Sequence, residues 1–215
     1  MSQPAATTTV HVVRHGEVYN PEGVLYGRIA DFHLSDLGRE MAAVTADYLS
    51  AMDVVHVGAS PLERAQETAQ PIAAAHGLDL HTDAKLIEAA NHFEGTTIAQ
   101  GGVLKQPKHW PHLINPFSPS WGEPYREIAA RMYAALTTAR NAARGREAVL
   151  VSHQLPVWTM RQSLEGNRLW HDPRQRECTL ASVTSVRYLD DEPVEVTYAE
   201  PAAHLLAGAA PGAGA

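Results

Sequence analysis

Only one cysteine, Cys178, occurs in this 215-residue chain, which excludes an internal disulfide framework and a cysteine-rich metal site. Its neighbours, Arg-Glu-Cys-Thr-Leu-Ala-Ser, lack the arginine six positions on that a thiol phosphatase loop would need, so Cys178 is expected to be a small buried hydrophobe. No apolar run approaches the roughly 20 residues that span a bilayer. Residues 1–7 have neither the basic start nor the apolar stretch of a signal peptide, so a cytoplasmic protein without a membrane partner is expected. A basic cluster is missing too. With 24 acidic residues against 17 basic ones, a net charge of -7 argues against nucleic acid as a partner. A small anion needs only a local group of cations, and that remains open.

What is present is a 45% hydrophobic fraction, enough for one domain with a sizeable core. That domain is expected over 1–206. An irregular stretch at 89–123, rich in proline, glycine and bulky aromatics, reads as a lid, because long structureless segments inside a domain usually serve a site. Its Trp110, Phe117 and Trp121 suggest an apolar cover and a substrate with a hydrophobic or ring-bearing part. The Gly-Ala-Pro tail, 207–215, is expected to be disordered. A homodimer stays open beside a monomer.

Short β-branched or apolar runs at 8–14, 54–59 and 148–152 read as strands, each followed by a helical stretch. Ser35 is placed to cap the first helix. Ser60-Pro61-Leu62-Glu63 has the form of a capping box with proline at the first helical position, so the second helix should begin there and stop near Gly77. A third helix is expected over 124–144 and a fourth over 155–164. Two late runs, 181–188 and 194–198, with Asp-Asp-Glu-Pro between them, suggest a hairpin at the sheet edge. Strands alternating with helices predict a three-layer α/β sandwich with a mostly parallel central sheet.

Three of the strand ends carry the chemistry. The first delivers Arg14 and His15, the second Arg64 just inside its helix, the third His153. Ligands of open α/β sheets bind at the carboxyl ends of the strands, so these four side chains can share one crevice. Two guanidinium groups offer planar forks to phosphate oxygens. Of two imidazoles, one can attack phosphorus while neutral and the other can donate to the transferring group. A leaving alkoxide needs a proton, and a carboxylic acid kept neutral by burial can supply it. No metal or other cofactor is expected. Other histidines are set aside: His11 shares the strand parity of Val13 and should point away from the crevice. His92, His109 and His112 are read as loop surface, with Pro111 preventing a regular helical pair of ligands.

Three segments together, Val13-Arg14-His15-Gly16-Glu17, Ser60-Pro61-Leu62-Glu63-Arg64-Ala65-Gln66-Glu67-Thr68-Ala69 and Val151-Ser152-His153, resemble the signature segments of the histidine phosphatase superfamily, the phosphoglycerate mutase-like clan. The resemblance implies a phosphohistidine mechanism on a small-molecule phosphate ester. His15 would be the nucleophile, with Arg14, Arg64 and His153 holding the phosphoryl group. Leu86-Ile87-Glu88 matches the family's Leu-x-Glu, which implies Glu88 as proton donor. Glu94 lies on the same loop and stays an alternative. Asn20 comes five positions after His15 where the mutases place an asparagine at six, and it is expected to reach the phosphate. Gln154 stands where the third motif usually has glycine and is expected to narrow the pocket. The mutase pattern Glu-Arg-His-Tyr-Gly is replaced by Glu88-Ala89-Ala90-Asn91-His92, with Lys105 and Lys108 the only cations before Arg126. A second phosphate would find few partners there, so a phosphatase is favoured over a mutase or a non-catalytic phospholigand binder.

Overall fold

Strand β1, Thr7–Arg14, forms the spine of the sheet because its β-branched run has an apolar layer on each side. Val10 and Val12 face one core cluster and Val13 the other, all fully buried. A computed structural model of the chain describes residues 6–96, 122–172 and 175–210. In chain order follow α1 (Asp36–Ser50), β2 (Val54–Ala59), α2 (Glu63–His76), β3 (Leu80–Thr82), α3 (Tyr125–Ala142), β4 (Glu147–Ser152), α4 (Gln154–Leu164), β5 (Val183–Leu189) and β6 (Glu192–Ala199). The six strands are ordered β3-β2-β4-β1-β5-β6. The first four run parallel, and the β5–β6 hairpin is antiparallel at one edge. Helix α2 packs its apolar residues into one cluster, while α3 and α4 cover the opposite face. The expected three-layer α/β sandwich with a mostly parallel sheet is therefore the observed fold. Among the described residues, no helix is long and apolar enough to cross a membrane.

Ser35 caps α1 as expected, accepting from Gly38 N at 2.9 Å. The expected start of α2 is corrected. The helix begins at Glu63 with Leu62 as its cap and no side-chain capping bond, while Ser60, two residues earlier, accepts from Leu62 N and reaches His153. Gly77 ends α2 in the left-handed conformation, φ 64°, which glycine adopts without steric cost. Of the tail expected at 207–215, residues 207–210 are described: Ala209 packs beside Met41, and Ala210 N donates to the Glu17 carboxylate at 2.7 Å. Residues 211–215 lie outside the described residues.

Most of the expected lid, 97–121, also lies outside them. Its two ends are fastened together: Asn91 bridges Gly122, and Glu123 N donates to Ala90 O at 3.1 Å. Glu123 accepts from Arg28 Nη2 at 2.8 Å and from Arg131 Nε at 2.8 Å. Arg28 Nε in turn donates to the Glu88 carbonyl at 2.7 Å.

The turn after β1 is packed against the first turn of α1 through two glycines. A Cβ on Gly16 would lie 2.5 Å from Gly38 O, and one on Gly38 would collide with the Glu17 carbonyl. Helix propensity alone makes Gly38→Ala a gain of about 1 kcal/mol. The backbone collision outweighs it, so Gly38→Ala is expected to lower the unfolding free energy by about 1–3 kcal/mol in chemical denaturation. An unchanged or raised value would show that this approach does not constrain the turn.

Candidate active site

The parallel pairing of β1 with β4 sets Arg14 opposite Ser152, so the next residue of each strand, His15 and His153, emerges at the same edge. His15 N donates to Ser152 O at 3.1 Å, and Ser60 N, just beyond β2, donates to Val151 O at 2.9 Å. The two imidazoles meet edge to face with ring centroids 5.1 Å apart. All four expected cage residues are buried: Arg14, His15, Arg64 and His153.

The ring of His15 has a defined hydrogen. Nδ1 lies 2.7 Å from the Gly16 carbonyl, which can only accept, so Nδ1 carries the proton and Nε2 keeps the lone pair. Burial and the positive charges of Arg64 and Arg14 hold the His15 pKa well below its ordinary value, which keeps the imidazole neutral. Gly16 N donates to Thr68 Oγ1 at 3.1 Å, and Thr68 donates to Arg64 O at 2.7 Å. Thr68 thereby ties the turn after His15 to the helix that carries Arg64.

His153 Nε2 lies 2.7 Å from Ser60 Oγ. The Ser60 oxygen already accepts from Leu62 N at 3.4 Å, and its own hydrogen has no other acceptor among the described residues. Ser60 therefore donates to Nε2, and the His153 hydrogen sits on Nδ1. Burial, His15 and the surrounding arginines lower the His153 pKa as well. Arg64 is fully buried, with Nη2 donating to Gly27 O at 2.5 Å and its guanidinium 4.6 Å above the Tyr26 ring centroid. Its Nε and Nη1, together with His153 Nδ1 and the Tyr26 hydroxyl, have no hydrogen-bond partner among the described residues. Buried donors of this kind are rare and expensive, and a group of them around one imidazole suits a tetrahedral anion. Arg14 Nη1 donates to the Cys178 carbonyl at 2.6 Å, which fixes its plane. Cys178 itself is buried in the core as expected.

Of the two carboxylates, Glu88 is buried and its pKa is raised by burial, against the lowering effect of the Ala89 N–H and of Arg64, Arg176 and Arg14. Glu94 instead closes its own loop by accepting from Asn91 N at 3.1 Å. Asn20, expected to reach the phosphate, bonds Val24 in this structure. Its amide oxygen accepts from Val24 N at 3.0 Å and its nitrogen donates to Val24 O at 2.8 Å, so the turn is consumed locally. The asparagine arrives one residue early, and Pro21 follows. Gln154 lies at the cage, with Nε2 3.4 Å from Cys178 O and Oε1 3.2 Å from Arg176 Nη1. His11 points away as expected, bonding Ser185 and Glu147 on the flanking strands.

Four contributors were not legible as such. Thr68 carried a signal, since it follows Arg64 by one helical turn and shares its face. Ser60, Tyr26 and Arg176 carried none that separates them from a cap, a loop aromatic and a surface charge.

A doubly wound α/β sheet that gathers two arginines and two histidines at its strand ends offers the donors that a tetrahedral anion needs. Sequence comparison fixes the family: the profile described as histidine phosphatase superfamily (branch 1) matches residues 10–201, and the chain belongs to it. The uncharacterized protein Rv0525 of Mycobacterium tuberculosis is 59% identical over 197 residues, covering 91% of this chain and 98% of that one. A probable phosphoglycerate mutase, GpmB of Escherichia coli, is 29% identical over 181 residues, 81% of this chain and 83% of its own. Among solved structures, the mycobacterial glucosyl-3-phosphoglycerate phosphatase Rv2419c has the same fold, with TM-score 0.71 at 23% identity, covering 89% of this chain and 97% of that chain. Family membership is thus fixed, and the names of these relatives include a probable mutase and a phosphatase.

Proposed function

We propose that the protein is a metal-independent phosphomonoesterase working through a phosphohistidine on His15. The observation that carries this reading is the His15 ring itself, neutral, with its hydrogen locked onto Gly16 O and its lone-pair nitrogen among Arg14, Arg64 and His153. Nε2 attacks phosphorus, the P–O ester bond breaks, and the leaving oxygen takes the proton of Glu88. Charge growing on the equatorial oxygens is met by the two guanidinium groups and His153 Nδ1–H, the service that metal ions give in other phosphotransferases. Water then attacks the phosphohistidine, Glu88 recovers a proton from it, and inorganic phosphate leaves.

A mutase would pass the phosphoryl group to a second hydroxyl and would need a bisphosphate to prime His15. The discriminating assay is phosphate release from an aryl phosphate in the presence of a chelator and without primer. Steady multiple turnover is expected. Activity that appears only with phosphoglycerate plus bisphosphoglycerate primer would establish the mutase reading instead.

A further inference from the structure

We propose that Arg176 is a specificity-determining residue that grips a carboxylate carried by the leaving group, so that the preferred substrate is an acidic phosphate monoester. The inference rests on the proposed phosphatase site and extends it to the organic half of the substrate.

Arg176 is partly buried, and its two bonded nitrogens meet neutral acceptors. Nε donates to His171 Nε2 at 2.8 Å and Nη1 to Gln154 Oε1 at 3.2 Å. His171 is neutral by its own bonding: Nδ1 donates to Leu169 O at 2.7 Å, leaving Nε2 to accept. No carboxylate lies within ion-pair distance of Arg176 among the described residues, whereas Arg28, Arg131, Arg140, Arg146 and Arg161 all have one. Burial lowers the Arg176 pKa and the Glu88 carboxylate is the main charge opposing this, so once Glu88 carries its proton a partly desolvated guanidinium held in two places gains from a ligand anion.

Its position says which anion. Gln154, next to His153, contacts both Arg176 and the Cys178 carbonyl that anchors Arg14, so Arg176 stands one side chain away from the cage. Burial and Arg64 and Arg14 depress His15, whereas Glu88 feels Arg176 as well. Arg176 and Glu88 thus act on each other's charge, and the ester's organic part must come within reach of Glu88 to take its proton. An anionic substituent there would complete the fork, and Gln154 acquires a purpose that the glycine usual at its position could not serve.

The test uses two non-hydrolysable ligands, propylphosphonate and 3-phosphonopropionate, which differ by a terminal carboxylate. The wild-type protein is expected to bind the carboxylated one about 30-fold more tightly in calorimetric titration, the scale of one charge-assisted fork. In Arg176→Gln that ratio should fall to near one, and in Gln154→Gly by about threefold through loss of the Nη1 acceptor. Arg176→Lys, which keeps the charge but not the fork, should fall between. Equal affinity of the wild type for both ligands, or a ratio that survives in Arg176→Gln and Gln154→Gly alike, overturns the assignment. Tight binding of propylphosphonate with no discrimination refutes only the role of Arg176, while failure to bind either ligand refutes the phosphate cage as well.

Discussion

His15→Ala is expected to lower kcat/KM by about 10⁴-fold or more and to abolish incorporation of phosphate into the protein. The size follows from the step that is lost. Without an Nε2 lone pair, no phosphoenzyme forms, and the remaining cage can only orient a water that has no base beside it. Truncation also removes the ring that lies against His153, but the bond from Gly16 N to Thr68 and that from His15 N to Ser152 O are independent of the side chain. The fold should therefore survive, and thermal denaturation of the variant checks it. Acid-labile, base-stable labelling of the wild type that disappears in the variant is the outcome expected. Labelling and turnover at wild-type levels would remove His15 from the mechanism.

Glu88→Gln should slow alkyl phosphates by about 10²–10⁴-fold in kcat/KM while affecting a nitrophenyl ester far less. A nitrophenolate departs as a stable anion, whereas an alkoxide cannot leave unprotonated. The pH dependence carries the same signature. Burial raises the Glu88 pKa above 4.5, so the acid form persists further toward neutrality and the alkyl rate declines as pH rises through that pKa. His15, held well below 6.5, loses its lone pair only at more acidic pH. In Glu88→Gln the alkaline decline should vanish and the acid limb should stay. An equal loss on both ester types would mean that Glu88 shapes the site without donating, and Glu94→Gln would then be the variant to examine.

The strands and their order along the chain were legible because β-branched runs such as 8–14 and 54–59 have few alternative structures. The hairpin at the edge was legible from two such runs around an acidic turn. The grouping was legible because Arg14, His15 and His153 sit at or just past the ends of these runs and Arg64 opens the helix that follows one, where fold geometry decides direction. The failures share a different cause. Ser60 has the local chemistry of a helix cap, yet a partner 93 residues away in sequence takes its hydroxyl. Asn20 had the right type near the right place, but a single missing residue lets its amide close on Val24 instead. Arg176 lies in a stretch without periodicity, and nothing local shows that Gln154 and His171 will hold it. Competition between near and distant partners for one polar group leaves no trace in spacing, so it becomes visible only in three dimensions.

The knot of Asn91 with Gly122, drawn tight by Glu123 between Arg28 and Arg131, holds the backbone at residues 91 and 122 together. Because Arg28 spans from Glu123 to the Glu88 carbonyl, loosening that clasp would be felt in the backbone that carries the buried carboxyl.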